Sequence, residues 1–398
     1  MSGNIEIRRL KKNGKWVPEF GWGGLGLWQT RGRKADLTKP PRFCRLLLEA
    51  EDGTRIAFTD PRRFGRVRLA EDPLRQAPVS ELGADPLGEG DLLATLVRRG
   101  PARPARRAVL AVHGYTDYFF NIELADRFAA HDLAFYALDL HKCGRSWREG
   151  QTPHFATDLA EYHRELERAV AIIASETDGA DIWIYGHSAG GLIVTLWLDR
   201  LRERGLTAAL GVAGLILNSP FFDLHGPAVL RTAPVSGTLR ALARFRKLAV
   251  IRQPTEGGYG TSLHRDHGGE FDYNLDWKPL GGFPVTIGWI NAIRRGQLQL
   301  HRGLDVGVPN LILRSDHTVA ETTTASGMER GDAVLDVAQI ARWAGCVGNR
   351  STIVPVPDAK HDVFLSLPQP RAVAFAELNH WLDGYLRSSS PTTQHEQA

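Results

Sequence analysis

The sequence predicts an α/β protein: a doubly wound, mostly parallel sheet with a helical cap insertion, preceded by a small β-rich N-terminal segment. Three observations predict it. After residue 107, short apolar runs alternate with amphipathic, helix-like stretches. Those runs are almost continuously apolar, as strands covered on both faces must be. An aromatic-rich stretch at about 221–305 then interrupts the alternation between two such runs, as a cap over a pocket does.

The elements follow in order. Residues 1–70 read as short strands and turns, and "CRLLLEAEDGTRIAFTD" reads as a hairpin around Asp52-Gly53. Residues 71–90, rich in Pro, Gly, Asp and Glu, suit a linker, and "GPARPARR" is a second turn. "AVLAVHG" and "LAFYALDL" are strands, with "NIELADRFAAHD" at helical spacing between them. "TDLAEYHRELERAVAIIAS" is a long amphipathic helix with Thr157 as its cap. "DIWIYG" (strand), "GGLIVTLWLDRLRER" (helix) and "AGLILNSP" (strand) lead into the cap. After it come "PNLILRSD", "DVAQIARWAG", "STIVPVPD" and "RAVAFAELNHWLDGYL", which continue the strand–helix rhythm. The main domain spans 91–387, and the polar tail 388–398 lacks the apolar residues to pack and is expected to be disordered.

Composition narrows the function classes. The 398 residues carry a net charge of +4, unevenly spread. Residues 1–85 hold 17 Lys/Arg against 11 Asp/Glu, a net of +6, so the remainder sums to −2. That asymmetry suits two segments of different origin, and is too mild to argue nucleic-acid binding. The cysteines Cys44, Cys143 and Cys346 form no paired or zinc-ligand spacing and read as reduced thiols. No apolar run is long enough to span a membrane, and no secretory signal is legible, so a cytoplasmic protein is expected.

Gly186-His187-Ser188-Ala189-Gly190 fits G-x-S-x-G, a weak signal alone. Its context strengthens it, because a strand precedes it and a helix follows. Glycines are needed where a strand turns abruptly into a helix, and the helix start offers free N–H groups beside the hydroxyl. A serine near neutral pH needs a base, and the base needs an orienting acid. In a doubly wound sheet both should lie past later strands, acid first. Asp316, closing "PNLILRSD", and His361, after "STIVPVPD", fall there. Asp223 also follows a strand and is a competitor for the acid. His264 and His267 lie in the cap and read as structural or substrate-facing. Asp358 and Asp362 are too close in sequence to His361 to face its ring. For the oxyanion, the N–H groups of Ala189 and of Tyr115, in the loop after "LAVHG", are the expected donors.

These pieces together carry a resemblance. "VLAVHGYTDY", "ALDLHKCGRS", "YGHSAGGLIV", "LILNSP", "LILRSD" and "KHDVFLS" are similar to motifs of α/β-hydrolases of the monoacylglycerol lipase and lysophospholipase-like group, also called the serine aminopeptidase family. The resemblance covers about residues 88–387 and implies the α/β-hydrolase fold and the triad Ser188, Asp316 and His361. Cys143 departs from the residue usual at its position. Epoxide hydrolases and dehalogenases of this fold use a carboxylate nucleophile, which Ser188 argues against.

Residues of about 5–86 resemble something else. "LKKNGKW", "DGTRIAFTDPRRFGRVRLAEDPL" and "SELGADPL" are similar to the N-terminal domain of formamidopyrimidine-DNA glycosylases. The resemblance implies duplex-wedging roles for Arg62 and Phe64 and a lesion-side role for Lys15. The departures are large. The family's amino-terminal proline, the acid after it, the helix–two-turn–helix region and the four-cysteine zinc ribbon have no counterpart in this sequence, so no Schiff-base nucleophile is expected. A glycosylase remnant or gene fusion joined to a complete hydrolase is the reading that follows, with "LGADPLGEGDLLATLVRR" as the seam.

The expected activity is a serine hydrolase of small acyl esters or monoacyl lipids, with no metal and no cofactor. A peptidase would need a cap carboxylate for the substrate amine, with Glu256, Glu270, Asp272 and Asp276 as the choices. Acyl transfer would use the same triad. From other classes come a DNA-binding or repair module in residues 1–85 and an inactive scaffold kept for binding. Trp277 and Trp289 are expected to shape the acyl site.

Overall fold

The computed structural model describes residues 5–12, 15–22, 44–49, 55–59, 74–80, 82–255, 257–320 and 325–388. The chain divides into two units, Met1–Pro73 and Leu74–Ala398. In the first, β1 (Ile5–Lys12) pairs antiparallel with β2 (Lys15–Trp22), and β3 (Cys44–Glu49) with β4 (Arg55–Thr59). The second pair is the expected hairpin. Lys15 opens β2, while Arg62 and Phe64 lie outside the described residues, as do Glu256 and the tail after 388.

The second unit begins with a correction. The stretch expected to be a linker contains β5 (Arg75–Val79), which pairs antiparallel with β6 (Ala94–Arg98) as the edge of the main sheet. The turn after it is also built in. Asp85 and Glu89 lie 2.7 and 2.9 Å from the fully buried ammonium of Lys142. Glu89 takes the Thr152 N–H and hydroxyl as well, and these bonds hold its carboxyl below the usual range against the opposing effect of burial.

The rest follows the alternation. In order come β7 (Arg107–Val112), α1 (Ile122–Ala130), β8 (Ala134–Asp139), α2 (His163–Thr177), β9 (Asp181–His187), α3 (Ala189–Glu203) and β10 (Val212–Asn218). The cap adds α4 (Ala233–Phe245), β11 (Val250–Arg252), β12 (Val285–Thr286) and α5 (Ile287–Leu300). Then β13 (Asn310–Ser315), α6 (Val337–Trp343), β14 (Ser351–Val356) and α7 (Pro368–Ser388) close the unit. The approach to α2 differs from expectation. Asp158, not Thr157, caps a 3₁₀ turn at Leu159–Tyr162, and Glu161 completes a capping box by taking the Thr157 hydroxyl and the Asp158 N–H.

The sheet order is β14-β13-β10-β9-β7-β8-β6-β5, with every strand parallel except β6, which runs antiparallel to both its neighbours β8 and β5. This is the α/β-hydrolase fold. Successive residues of a strand face opposite sides. Leu110 and Val112 accordingly enter the core around Trp197 and Leu192 of α3, while Val109 and Ala111 enter the core around Phe128 of α1 and Trp381 of α7. From β7 the chain crosses to β8 on one side and returns to β9 on the other. The crevice at the carboxyl ends of β7 and β9 is therefore the switch point where such sheets place their chemistry.

Candidate active site

Ser188 stands at the end of β9 and caps α3, with φ 52° and ψ −120°. A non-glycine residue adopts such a φ only under constraint. The constraint is visible on both sides. Ser188 N–H donates to the Asn218 carbonyl of β10 (3.0 Å), and its own carbonyl takes the Phe221 N–H (3.0 Å). Gly190 has no room for a side chain, because a Cβ would collide with the His113 and Val112 carbonyls of β7 and its loop. A Cβ on Gly114 would lie 2.8 Å from the Ser188 Cβ, so the loop after β7 lies directly against the serine.

His361 sits in the loop after β14, and its partner is not the one expected. Its Nδ1 lies 2.9 Å from Oδ2 of Asp332, a carboxylate with no exposed surface. Asp316 instead meets His317 Nδ1 (2.7 Å), takes the Asp358 N–H (3.0 Å) and stays more than one-third exposed. The expected pairing of His361 with Asp316 is therefore corrected. The cause is a chain excursion after β13. It returns by a parallel bridge at Thr318 and Asp332, with Val319 N–H on the Asp332 carbonyl and Asp332 N–H on the His317 carbonyl. The position just past the strand end is thus filled by a residue from farther along the chain. The second Asp332 oxygen takes the Val334 and Leu335 N–H groups (2.8 and 2.7 Å), which fixes the carboxylate. The signal available in sequence was "GDAVLD", an Asp followed by apolar residues ahead of α6, the pattern of a side chain bonding its own following turn.

The far nitrogen of His361, Nε2, is buried and makes no hydrogen bond. The ring lies 4.9 Å from the His187 ring and 5.9 Å from that of Tyr259. Asn218, quoted in sequence only as part of a strand, ties the end of β10 to the loop that carries His361. It is fully buried, its amide donates to Asp362 (2.7 Å) and Tyr185 (2.8 Å), and its Oδ1 takes the Val363 N–H. Asp362 serves Asn218 and the Phe364 N–H, and Asp358 pairs with Arg330. Burial holds the His187 imidazole below its ordinary value.

The loop after β7 is oriented by His113. Its Nε2 accepts the Leu140 N–H (3.0 Å), so Nδ1 carries the proton and donates to the Gly114 carbonyl (2.8 Å). In a trans peptide the Tyr115 N–H must then point the opposite way from that carbonyl. Ala189 is the first residue of α3, where N–H groups have no intrahelical acceptor. The Tyr115 ring packs on Trp289 at 3.9 Å, and burial raises its phenol strongly.

The other candidates are in structural use. Asp223 pairs with buried Arg294 (2.8 Å) and takes the Trp343 indole N–H. His264 is buried and caps a 3₁₀ turn through Asp266 N–H. Glu270 and Asp272 are spent on Arg371 and Arg265. Cys143 is buried, with its thiol pushed well up by burial and 3.2 Å from His154 Nδ1; Cys346 is half-buried and free.

Residues 103–327 match the profile of the serine aminopeptidase (S33) family. Solved structures are similar over most of the second unit. A soluble variant of monoglyceride lipase from Saccharomyces cerevisiae is 17% identical, with a TM-score of 0.55, over 74% of this chain and 92% of that one. The monoacylglycerol lipase of Paleococcus ferrophilus is 16% identical with a TM-score of 0.52, over 74% and 99%. At such identity the likeness is one of fold. The N-terminal part is similar to formamidopyrimidine-DNA glycosylases: 44% identity over 102 residues with that of Arabidopsis thaliana, and 32% over 115 with that of Desulfitobacterium hafniense. The chain spans 26% and 42% of those two relatives. Among the described residues, no helix is long and apolar enough to cross a membrane.

Proposed function

The chain belongs to the serine aminopeptidase (S33) family of α/β-hydrolases, and on that premise we propose that it hydrolyses carboxylic esters of small acyl groups or monoacyl lipids through an acyl-enzyme. One observation carries the mechanism: a histidine held by a buried carboxylate on one nitrogen, with the other nitrogen buried and unbonded. In this reading Asp332 fixes the His361 tautomer with the proton on Nδ1, which leaves Nε2 as the base. His361 takes the Ser188 proton as Oγ attacks the acyl carbonyl. The N–H groups of Tyr115 and Ala189 stabilise the oxyanion. The imidazolium returns the proton to the leaving alkoxide, and a water activated by the same nitrogen releases the acid. The ester preference draws on the monoglyceride lipases whose fold this unit shares, and on the aromatic wall of Tyr115 and Trp289 beside the serine loop.

The test is the initial rate on p-nitrophenyl butyrate for wild type and Ser188→Ala. Turnover by wild type and a loss of at least ~10⁴-fold in the variant are expected. Equal rates in both proteins would remove Ser188 from the mechanism.

A further inference from the structure

The loop after β7 does not rest on the sheet alone. Thr116 has φ 51°, in the left-handed region that β-branched residues avoid. Such a conformation persists only where the surroundings over-determine it. Here much of the surrounding is the cap. Phe283 N–H donates to Thr116 Oγ1 (2.9 Å), the Tyr115 hydroxyl to the Pro284 carbonyl (2.6 Å), and Asn274 N–H to the Tyr118 hydroxyl (2.7 Å). At the centre of this strap the ammonium of Lys278 lies 2.7 Å from Asp117 Oδ1 and 3.4 Å from the Thr116 carbonyl. Both charged side chains are 10% exposed. Burial opposes the Asp117 charge, yet the Lys278 ammonium outweighs it and holds that carboxyl down at about 2.

The consequence concerns the N–H of Tyr115. The Gly114–Tyr115 peptide is fixed on one side by His113, as described above. Beyond Tyr115 comes strained Thr116; relaxation of its φ would turn the Tyr115–Thr116 peptide and, through the Tyr115 backbone, shift that N–H. We infer that Lys278 of the cap and Asp117 of the loop are positioning residues, which hold the strained 115–118 loop so that the Tyr115 N–H stays aimed at the oxyanion. The donor is then in place only when the cap is seated. This inference rests on the ester-hydrolase reading of the site.

The pair is tested in the full chain with Lys278→Met, Lys278→Arg and Lys278→Met/Thr116→Gly, measuring kcat and KM per fluorophosphonate-titrated site. One oxyanion donor contributes ~10²–10³ in kcat, so a fall of ~10–100-fold in kcat is expected for Lys278→Met, with KM little changed. Lys278→Arg, which keeps the cation, should retain most activity. Glycine adopts φ 51° without strain, so adding Thr116→Gly to the Met variant should restore several-fold of the loss, roughly. An unchanged kcat per titrated site, or no restoration by glycine, overturns the inference. If Lys278→Met does not fold, Lys278→Gln, which keeps a donor, takes its place in the same comparison.

Amide hydrogen exchange supplies a readout that needs no turnover. Lys278→Met should lose protection across 113–119 while β9 and β10 keep theirs. If wild type hydrolyses no ester yet exchange changes in this way, the hydrolase reading fails and the holding of the loop by the cap stands. If wild type hydrolyses ester and exchange across 113–119 is unchanged in the variant, the pair is overturned and the hydrolase reading stands.

Discussion

Asp332 Oδ2 meets His361 Nδ1 at 2.9 Å in the interior of the unit, while its other oxygen is held by the Val334 and Leu335 N–H groups. The carboxylate is held by backbone N–H groups independently of the imidazole, so it can act as an orienting group rather than a proton acceptor. Asp332→Asn should keep the fold and lower kcat by ~10³–10⁴, because an amide donor there favours the wrong tautomer. Asp316→Asn should leave kcat unchanged. Steady-state kinetics on the two variants side by side checks the assignment, and the reverse ranking would restore Asp316.

The Asp117 carboxyl titrates at about 2 when folded, below its ordinary value of 3.8. A depressed carboxylate stabilises the fold above its unfolded pKa, and that contribution fades as pH falls through the folded one. It amounts to about 2 kcal/mol, lost between about pH 4 and pH 2. Urea midpoints measured down this range should fall more steeply for wild type than for Asp117→Asn. Parallel slopes would mean that the Lys278 pair carries no such linkage.

Lys142 is buried against Asp85 and Glu89, two residues of the stretch that joins the glycosylase-like segment to the hydrolase. Removing both carboxylates leaves a buried ammonium with no counter-charge. Asp85→Asn/Glu89→Gln should therefore destabilise the hydrolase unit by ~3–5 kcal/mol. Thermal melting of the full chain, followed by the unfolding of this unit, reads this directly. An unshifted melt would return residues 82–90 to the role of a linker.

Gly114 leaves no space between the loop after β7 and Ser188. Gly114→Ala puts a Cβ 2.8 Å from the Ser188 Cβ, closer than real carbon contacts allow. The variant should keep its circular dichroism spectrum and lose most ester turnover, roughly as much as an oxyanion donor contributes.

The strands and helices were legible because near-continuous apolar runs and 3.6-residue periodicity report burial directly. The sharp turn at Ser188 was legible because a strand-to-helix corner needs glycines, and the place of His361 because it follows the last strand. The carboxylate that meets His361 was not, because the rule that this carboxylate follows its strand is a rule about space. The chain leaves β13, makes an excursion and returns at the Thr318–Asp332 bridge, so the residue nearest the strand in sequence is not the one nearest in space. The seam was misread for a related reason. Pro, Gly, Asp and Glu suit an exposed linker equally well, and only the distant Lys142 shows that Asp85 and Glu89 are interior groups. Thr116 and Lys278 left no trace in the pattern, since backbone strain and a cap-to-loop ion pair both arise from tertiary contacts.

The most direct measurement is the site of fluorophosphonate attachment on the full chain, mapped by peptide mass spectrometry, in wild type and Asp332→Asn. The account predicts one adduct, on Ser188, formed rapidly in wild type and ~10³-fold or more slowly in Asp332→Asn. No adduct on Ser188 in folded wild type, or equal rates in the two proteins, would contradict it.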